Sequence, residues 1–191
     1  MYYKSEVQGV VRVPPKFFGE KLERAVERQL KEEYEGKVVD PLGKVIRILD
    51  ISEIGEGTII PGDGAAYHRT NFTVIHYIPE IGEIVEGEIK DIAKFGAFID
   101  FGPFEGMVHI SQTMDDFVSF SKSGALSGKK TGRTLKVGDR VRARIIAISY
   151  KDPYNPKIGL TMRQPLLGKL EWIDAEVKGE KKKKEAEKNK K

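Results

Sequence analysis

The chain has 191 residues, of which 32% are charged; its formal net charge is +4, and it contains no cysteine. The lack of cysteine excludes disulfide bridges and thiolate zinc sites. No window approaches about 18 consecutive apolar residues, so no membrane span is predicted and a cytoplasmic location is expected. The positive charge is concentrated at the end, where residues 178–191 contain eight lysines and three glutamates. Within the C-terminal segment 166–191, this composition predicts a mobile, solvated tail.

The first 80 residues predict a small α/β domain. Tyr2–Val13 is rich in valine and tyrosine and predicts a strand. Apolar residues at three- and four-residue spacing predict a helix from Lys16 to Tyr34. Its apolar stripe consists of Phe18, Leu22, Ala25, Val26, Leu30 and Tyr34. Two further strands are predicted at Lys44–Ile54 and Ala65–Ile78. Residues 1–80 are therefore expected to place one helix over an antiparallel sheet.

A glycine-rich loop, called the tip below, is predicted between the last two of these strands. Its candidate docking residues are Gly55, Gly57, Ile59, Ile60, Pro61, Gly62, Asp63 and Gly64. A solvated loop has little use for two adjacent isoleucines, so an exposed apolar tip predicts a docking element. The alternative is that Ile59 and Ile60 fold back into the local core. The glycine spacing does not match a phosphate-binding loop, because no Gly-Lys-Ser/Thr follows it.

Residues 82–165 predict a five-stranded antiparallel barrel of the OB type. The predicted strands are Val85–Ile92, Lys94–Asp100, Glu105–Ser111, Val141–Tyr150 and Lys157–Arg163. Alternation lapses in residues 113–134, which predict a long inserted loop with a helical turn at Met114–Phe120. This part of the chain is mildly basic, as a nucleic-acid footprint requires.

Two phenylalanines around one glycine predict a base-stacking surface on the second barrel strand. Stacking on an aromatic ring tolerates any base and contributes about 1–3 kcal/mol per base. Strand parity leaves two arrangements open: Phe95 and Ile99 face inward while Phe98 faces outward, or the reverse. A bulge at Gly96 would instead place both rings on one face.

No catalytic, metal or cofactor site is predicted. The three histidines are scattered, so His109 is not expected to bind a metal ion. The aspartates of the barrel are dispersed through turns without an acid–base pair at defined spacing, which argues against a nuclease.

Four blocks of the barrel resemble an S1-type RNA-binding OB domain: GEIVEGEIKDIAKFGAFIDF, EGMVHIS, LKVGDRVRARIIAI and KIGLTMR. From Met1 to Arg163 the chain resembles the larger stalk subunits of archaeal RNA polymerase, the E-prime family, which are related to the seventh subunit of the eukaryotic polymerases. VxRVPPxxFG and GEGTIIPGDGAAYHRTNF carry this resemblance. It implies a truncated-RNP-like α/β sandwich followed by a five-stranded OB barrel.

The resemblance also implies sites and partners. Ser149 replaces an acidic residue often found in S1 domains, and Lys151 is expected to contact phosphate there instead. The implied RNA-binding residues are Phe95, Phe98, His109, Lys157 and Lys151, with Arg142 and Arg144 on outward positions. The tip is expected to dock on the polymerase core near the clamp. The chain is expected to form a heterodimer with the small stalk subunit, hold emerging single-stranded RNA and assist promoter opening, while catalysis lies in other subunits.

The runner-up interpretation is an S1 protein of translation or of the RNA exosome. Initiation-factor relatives place S1 first and follow it with helices, and exosome cap proteins follow S1 with a KH domain. Here the additional domain precedes S1, and too few residues follow it for a KH domain. The order therefore favours the polymerase stalk.

Overall fold

The computed structural model describes residues 1–121 and 124–178. They form two units: Met1–Pro79 with Pro153–Asn155, and the described residues of Glu80–Asp152 and from Pro156 onward. The tail predicted to be mobile falls largely in residues 179–191, outside the described residues. No described helix is both long and apolar enough to cross a membrane. A helix-covered sheet followed by a barrel confirms the predicted fold class.

The first unit is an antiparallel sheet with one helix across it. In chain order its elements are β1 (Tyr2–Val13), α1 (Leu22–Tyr34), β2 (Val38–Val39), β3 (Gly43–Ile59) and β4 (Ala66–Tyr77). The strands lie in the order β1-β4-β3-β2, so the last strand in sequence occupies the interior of the sheet. β4 pairs with β1 along its whole length, from Tyr2 opposite Tyr77 to Val13 opposite Ala66.

Helix α1 covers the sheet through one apolar face. The core side chains are Ala25, Val26 and Leu30 from the helix and Val11, Val13, Val45, Ile48, Phe72 and Val74 from the sheet. Burial of one large aliphatic or aromatic side chain contributes about 1.5–3 kcal/mol. This contact therefore holds the first unit together.

The helix begins later than the predicted Lys16. Residues Pro15–Phe17 form a 3-10 turn in which the N–H of Phe18 donates to the carbonyl of Pro15. Lys21 is then extended, with φ −62° and ψ 131°, so the turn does not continue into α1. The predicted stripe is wrong at its start, because Phe18 and Leu22 are exposed. Pro15 is tolerated at the start of this turn, because its missing N–H would have no partner there.

Strand β3 is irregular along both of its edges. Its pairing with β4 is interrupted four times, between Val45 and Arg47, Ile48 and Asp50, Ile51 and Glu53, and Ile54 and Gly57. β2 pairs only with the first two residues of β3. Two backbone N–H groups of β3 donate to carboxylates instead of to another strand: Ile48 to Glu35 at 2.9 Å and Ile51 to Asp50 at 3.0 Å.

The second unit is a closed barrel with an inserted sheet. Its strands are β5 (Ile84–Ala93), β6 (Gly96–Asp100), β7 (Glu105–His109), β8 (Val118–Phe120), β9 (Leu126–Gly128), β10 (Thr134–Leu135), β11 (Arg140–Ser149), β12 (Lys157–Thr161) and β13 (Gly168–Lys169). The barrel strands follow the order β12-β7-β6-β5-β11, and β12 also pairs with β11, which closes the ring. Every barrel strand contributes buried side chains, among them Ile89, Ile99, Val108, Ile145 and Leu160.

The insertion after β7 contains strands that the predicted loop did not anticipate. β8, β9 and β10 form a small antiparallel sheet in the order β10-β9-β8. The helical turn predicted at Met114–Phe120 is wrong, since a 3-10 turn lies earlier, at Ile110–Gln112. The strands contain only two or three residues each, so no alternation of apolar and polar residues can be recognised in them. Leu126 and Leu135 nevertheless are fully buried and anchor the inserted sheet.

A second helix, α2 (170–178), follows β13. β13 pairs with β11, and Ile173 of α2 is buried. The guanidinium of Arg133 lies 5.2 Å from the ring centroid of Trp172, and Arg133 also forms an ion pair with Glu176 at 2.6 Å. These contacts attach α2 to the second unit.

Candidate nucleic-acid interface

Phe95 and Phe98 lie together on the outside of the barrel. Strand β6 begins at Gly96, so Phe95 belongs to the turn before it and not, as predicted, to the strand. Phe95 is 52% exposed and Phe98 is half-buried, while Ile99 is fully buried. The two rings meet edge to face, with centroids 6.0 Å apart and an interplanar angle of 90°. Ile99 faces inward and both rings lie on the outer face. The predicted bulge at Gly96 is absent, since β6 pairs regularly there, and Phe95 reaches this face from the turn.

Gly96 allows this arrangement by letting β6 approach β7 closely. It pairs with His109 across the two strands. A Cβ atom added at Gly96 would lie 2.1 Å from the carbonyl oxygen of Val108, a backbone atom that cannot rotate away. The backbone N–H of Ile110 donates to the carbonyl of Phe95 at 2.8 Å, which fixes the turn beside the end of β7.

Strand β7 places His109 and Met107 beside the two rings. Met107 pairs directly with Phe98, and the exposed His109 pairs with Gly96. His109 Nδ1 accepts from the backbone N–H of Ser111 and lies 2.8 Å from the Ser111 hydroxyl. The neutral ring therefore carries its proton on Nε2, which can donate to a ligand. Sequence reasoning missed Met107, although its position midway between the exposed Glu105 and His109 places it on the outer face.

Lys157 lies at the far end of the same surface. It is the exposed first residue of β12, which runs parallel to β7 with Gly159 beside Met107. The Glu105–His109 strand spans about 13 Å, so Lys157 and His109 lie at opposite ends of it. We call Phe95, Phe98, Met107, His109 and Lys157 the barrel stripe. It combines aromatic faces with a cation, the elements that bind single-stranded nucleic acid without reading its sequence.

The predicted arginines lie beside the stripe and not on its strands. Arg142 and Arg144 belong to β11, which in the closed ring lies between β5 and β12, the strand of Lys157. Arg142 is neutralised by Glu86, with its Nε and Nη2 atoms 2.8 and 2.7 Å from the carboxylate. The Nε atom of Arg144 is buried and has no acceptor among the described residues. The exposed Lys151 follows β11, whose final residue, Ser149, pairs with Lys157. Lys151 therefore lies near the end of the stripe that carries Lys157.

The tip is the end of a β-hairpin and not a loop beginning at Gly55. β3 continues through Gly55 and Gly57 to Ile59, and β4 resumes at Ala66. The glycines serve packing, because a Cβ atom at Gly57 would lie 2.7 Å from the His68 ring. His68 is buried, with Nδ1 2.9 Å from the carbonyl oxygen of Gly55. The prediction of a loop was wrong because these glycines were interpreted as turn residues.

The two isoleucines of the tip point into solvent. Ile59 is 62% exposed and Ile60 is 48% exposed, so neither folds back into the core. Gly62 and Gly64 belong to the turn that follows the two isoleucines. Their φ values of 94° and 70° are positive, a conformation that glycine adopts readily. The first unit thus presents an apolar surface at one end of a long hairpin, where a partner can cover it.

An ionic cluster that sequence reasoning missed holds this turn to β1. The guanidinium of Arg12 forms two hydrogen bonds with the Asp63 carboxylate, one of them from Nε at 2.8 Å, and the Tyr67 hydroxyl donates to the same carboxylate. These donors lower the pKa of Asp63 to about 2, with Arg12 as the larger cause and Tyr67 as the second. Arg12 carries no sequence signal, since Asp63 lies 51 residues away along the chain. Tyr67 lies four residues after Asp63, but no sequence pattern marks this pair as a hydrogen bond.

This cluster predicts a low titration midpoint for Asp63. In a carboxyl carbon-13 NMR titration we expect a midpoint near pH 2, as the pKa of about 2 implies, and in Arg12→Ala a midpoint closer to about 3.9. Since folding lowers this pKa, the ionised carboxylate stabilises the tip fully above about pH 4, and that contribution is lost as the pH falls through 2. Arg69→Ala, which removes an exposed cation of β4, should leave the midpoint unchanged. An equal midpoint in Arg12→Ala and the wild-type chain would refute the cluster.

Two family models match the chain. The first, described as "SHS2 domain found in N terminus of Rpb7p/Rpc25p/MJ0397", matches residues 8–64. The second, described as "S1 RNA binding domain", matches residues 78–153. The first range covers the helix-covered sheet without β4, and the second covers the barrel without β12.

Named relatives match over both units. A DNA-directed RNA polymerase subunit Rpo7 of Sulfolobus acidocaldarius is 41% identical over 178 residues, which cover 93% of this chain and 97% of the relative. The Rpo7 subunit of Saccharolobus solfataricus is 41% identical over 175 residues, or 91% of this chain and 97% of the relative. The DNA-directed RNA polymerase II subunit RPB7 of Saccharomyces cerevisiae is 24% identical over 147 residues, covering 76% and 86% of the two chains.

Proposed function

This chain belongs to the Rpo7 family of DNA-directed RNA polymerase subunits, and from that premise we propose how its two units serve the enzyme. The second unit binds emerging single-stranded RNA on the barrel stripe. The first unit docks on the polymerase core near the clamp through the tip. The chain forms a heterodimer with the small stalk subunit and acts in the cytoplasm. Nucleotidyl transfer lies in other subunits, so this chain holds and positions without performing chemistry.

One observation carries the proposed RNA binding: the edge-to-face pair of the exposed Phe95 and the half-buried Phe98 beside His109. Each ring offers a face on which any base can stack, and the lysine at the far end of the stripe can meet the backbone. Little sequence preference is expected, since stacking on a ring face tolerates any base. Such binding suits a subunit that must accept every transcript.

Two observations support docking through the tip. Ile59 and Ile60 are exposed at the end of a hairpin, and the Arg12–Asp63 ion pair holds the adjoining turn in one conformation. A pre-formed apolar tip loses little conformational freedom on binding, which favours affinity. Promoter opening would follow if the tip contacts differ between the open and closed clamp, because a ligand shifts an equilibrium only by its differential affinity.

The double substitution Phe95→Ala with Phe98→Ala tests the RNA site. Loss of two stacking faces at about 1 kcal/mol each corresponds to about a thirtyfold loss of affinity. We would measure it by fluorescence anisotropy with a labelled single-stranded RNA of mixed sequence. Phe18→Ala is a matched control, since Phe18 is also 52% exposed but belongs to the first unit. Wild-type affinity in a correctly folded double variant would remove both rings from the proposed site.

A further inference from the structure

The inserted sheet carries a second exposed aromatic ring with lysines beside it. Phe117 lies directly before β8 and is 67% exposed, more than either phenylalanine of the barrel stripe. The ammonium of Lys129 lies 4.8 Å from the centroid of its ring. The backbone N–H of Lys129 also donates to the carbonyl of Phe117 at 3.0 Å. Ring and cation are therefore presented together at the surface, with the ammonium over one face of the ring.

Asp116 holds this pair in place. Its carboxylate accepts from the backbone N–H groups of Phe117 at 2.6 Å, Lys130 at 2.9 Å and Thr131 at 2.7 Å. The Thr131 hydroxyl adds a fourth hydrogen bond at 2.8 Å. Gly128 is necessary here, because a Cβ atom at that position would lie 2.5 Å from the Asp116 carboxylate. A surface fixed in this way loses little freedom when a ligand binds.

The two lysines of this surface are not neutralised within the described part of the chain. No described carboxylate forms an ion pair with Lys129 or Lys130. Neighbouring cations differ, since Arg133 pairs with Glu176 at 2.6 Å and Arg163 pairs with Asp115 at 2.8 Å. The Asp116 carboxylate is occupied by backbone and hydroxyl donors. A phosphate group would therefore meet two available ammonium groups.

The insertion leaves the barrel beside the aromatic end of the barrel stripe. Its first residues are tied to the barrel by Gln112, whose carbonyl accepts from the N–H of Met162 and whose side chain accepts from the Thr161 hydroxyl, both at 2.8 Å. Phe117 follows His109 by eight residues, so their Cα atoms lie at most about 29 Å apart. About nine stacked nucleotides span that distance at 3.4 Å each. An OB fold binds about 4–16 nucleotides, so one strand can reach both surfaces.

We propose that Phe117, Lys129 and Lys130 form a second contact for single-stranded RNA, which extends the site beyond the barrel stripe. A base stacks on the exposed face of Phe117, and the backbone phosphates on either side of it meet the two ammonium groups. This proposal rests on the proposed RNA binding by the second unit. It assigns to the inserted sheet the role of lengthening the bound segment of RNA.

The test compares a short and a long single-stranded RNA, of about 5 and about 16 nucleotides, on the full chain. Phe117→Ala should weaken binding of the long RNA about tenfold and leave the short RNA unchanged. Lys129→Gln with Lys130→Gln should reduce the salt dependence of long-RNA binding by about 1.4 log units per log unit of salt, since each contact contributes about 0.7. All three side chains are at the surface, so the variants are expected to fold.

Matched controls come from the first unit. Phe18→Ala removes an exposed ring, and Lys4→Gln with Lys21→Gln removes two exposed cations. Neither control should change the affinity for the long RNA or its salt dependence by as much as the insertion variants do. Equal effects from controls and insertion variants would overturn the proposal, because they would show a nonspecific response to lost charge or apolar surface.

Failure of this proposal is distinguishable from failure of RNA binding by the barrel stripe. If the short RNA depends on Phe95 and Phe98 but the long RNA is insensitive to the insertion variants, the stripe stands and the second contact is refuted. If long-RNA binding needs Phe117 but neither RNA needs Phe95 or Phe98, the second contact stands without the stripe. If insertion variants weaken only the binding of a polymerase subunit, the surface is a protein contact and the proposal is overturned.

Discussion

Replacement of both tip isoleucines, Ile59→Asp with Ile60→Asp, is expected to abolish binding of the chain to the polymerase core while binding to the small stalk subunit persists. Both side chains are largely exposed in the free chain, so the folded first unit should tolerate the change within about 0.5 kcal/mol. The effect is therefore expected to be confined to assembly. It would be measured by co-purification of the variant with core polymerase and, separately, with the small stalk subunit.

The predicted size of this effect follows from burial. Ile59 and Ile60 are 62% and 48% exposed, so covering the remaining surface contributes about 1.5–3 kcal/mol. Two carboxylates forced into the same apolar site each add a desolvation cost of several kcal/mol. A total above about 6 kcal/mol exceeds a ten-thousandfold change in affinity. At that size the complex is lost at ordinary concentrations.

A conservative double substitution tests whether docking needs apolar surface or the full isoleucine side chains. Ile59→Val with Ile60→Val retains most of the apolar surface, so assembly should survive with a modest loss of affinity. If the aspartate variant assembles fully with the core, the tip is not the docking element. If it also fails to bind the small stalk subunit, the two partners share a surface that includes the tip, and the proposed division of roles is wrong.

Gly96→Ala is expected to destabilise the barrel by about 3 kcal/mol, the upper part of the range for overpacking. The added methyl group would lie 2.1 Å from the carbonyl oxygen of Val108, so β6 and β7 must separate where Phe95 and His109 are placed. Urea unfolding followed by fluorescence of Trp172, the one tryptophan of the chain, reports on the second unit. RNA affinity should fall with stability, because the barrel stripe depends on this strand pair.

Gly19→Ala is the matched control for this substitution. No atom lies within 4 Å of the Cβ position at Gly19, so its effect should stay within about 0.5 kcal/mol. Equal stability of the two alanine variants would show that β6 and β7 can separate without loss. In that case Gly96 would not be the reason that Phe95 and His109 lie together.

The barrel could be predicted from sequence because its strands alternate over five or more residues around buried positions such as Ile89 and Ile145. The inserted sheet could not, since its strands contain two or three residues and their burial depends on contacts between distant segments. β3 shows another limit of local patterns. Glycine predicts a turn when only neighbours are considered, but Gly57 lies in a strand because the ring of His68 occupies the space of its missing side chain.

Only some residues of the candidate site could be predicted from the sequence, because local patterns mark some of them and not others. Phe95 and Phe98 stand out because exposed aromatic residues around a glycine are unusual on a barrel strand. Met107 does not stand out, because an apolar residue in a strand is normally assigned to the core. The cluster of Arg12 and Asp63 and the neutralisation of Arg142 by Glu86 join residues about 50 apart in sequence. Only the strand register brings such pairs together.

The irregular edge of β3 bears on the behaviour of the free chain before it is assembled into the polymerase. β3 is 17 residues long and is covered by β2 only at its first two residues. A long uncovered edge of this kind is a template on which another copy can add and begin a fibre. Here the interrupted register denies a second copy a continuous ladder, and the carboxylates of Glu35 and Asp50 already occupy two backbone donors. An identical copy would bring the same negative charges against them. The strand that carries the docking surface is thereby protected from self-association while that surface remains uncovered.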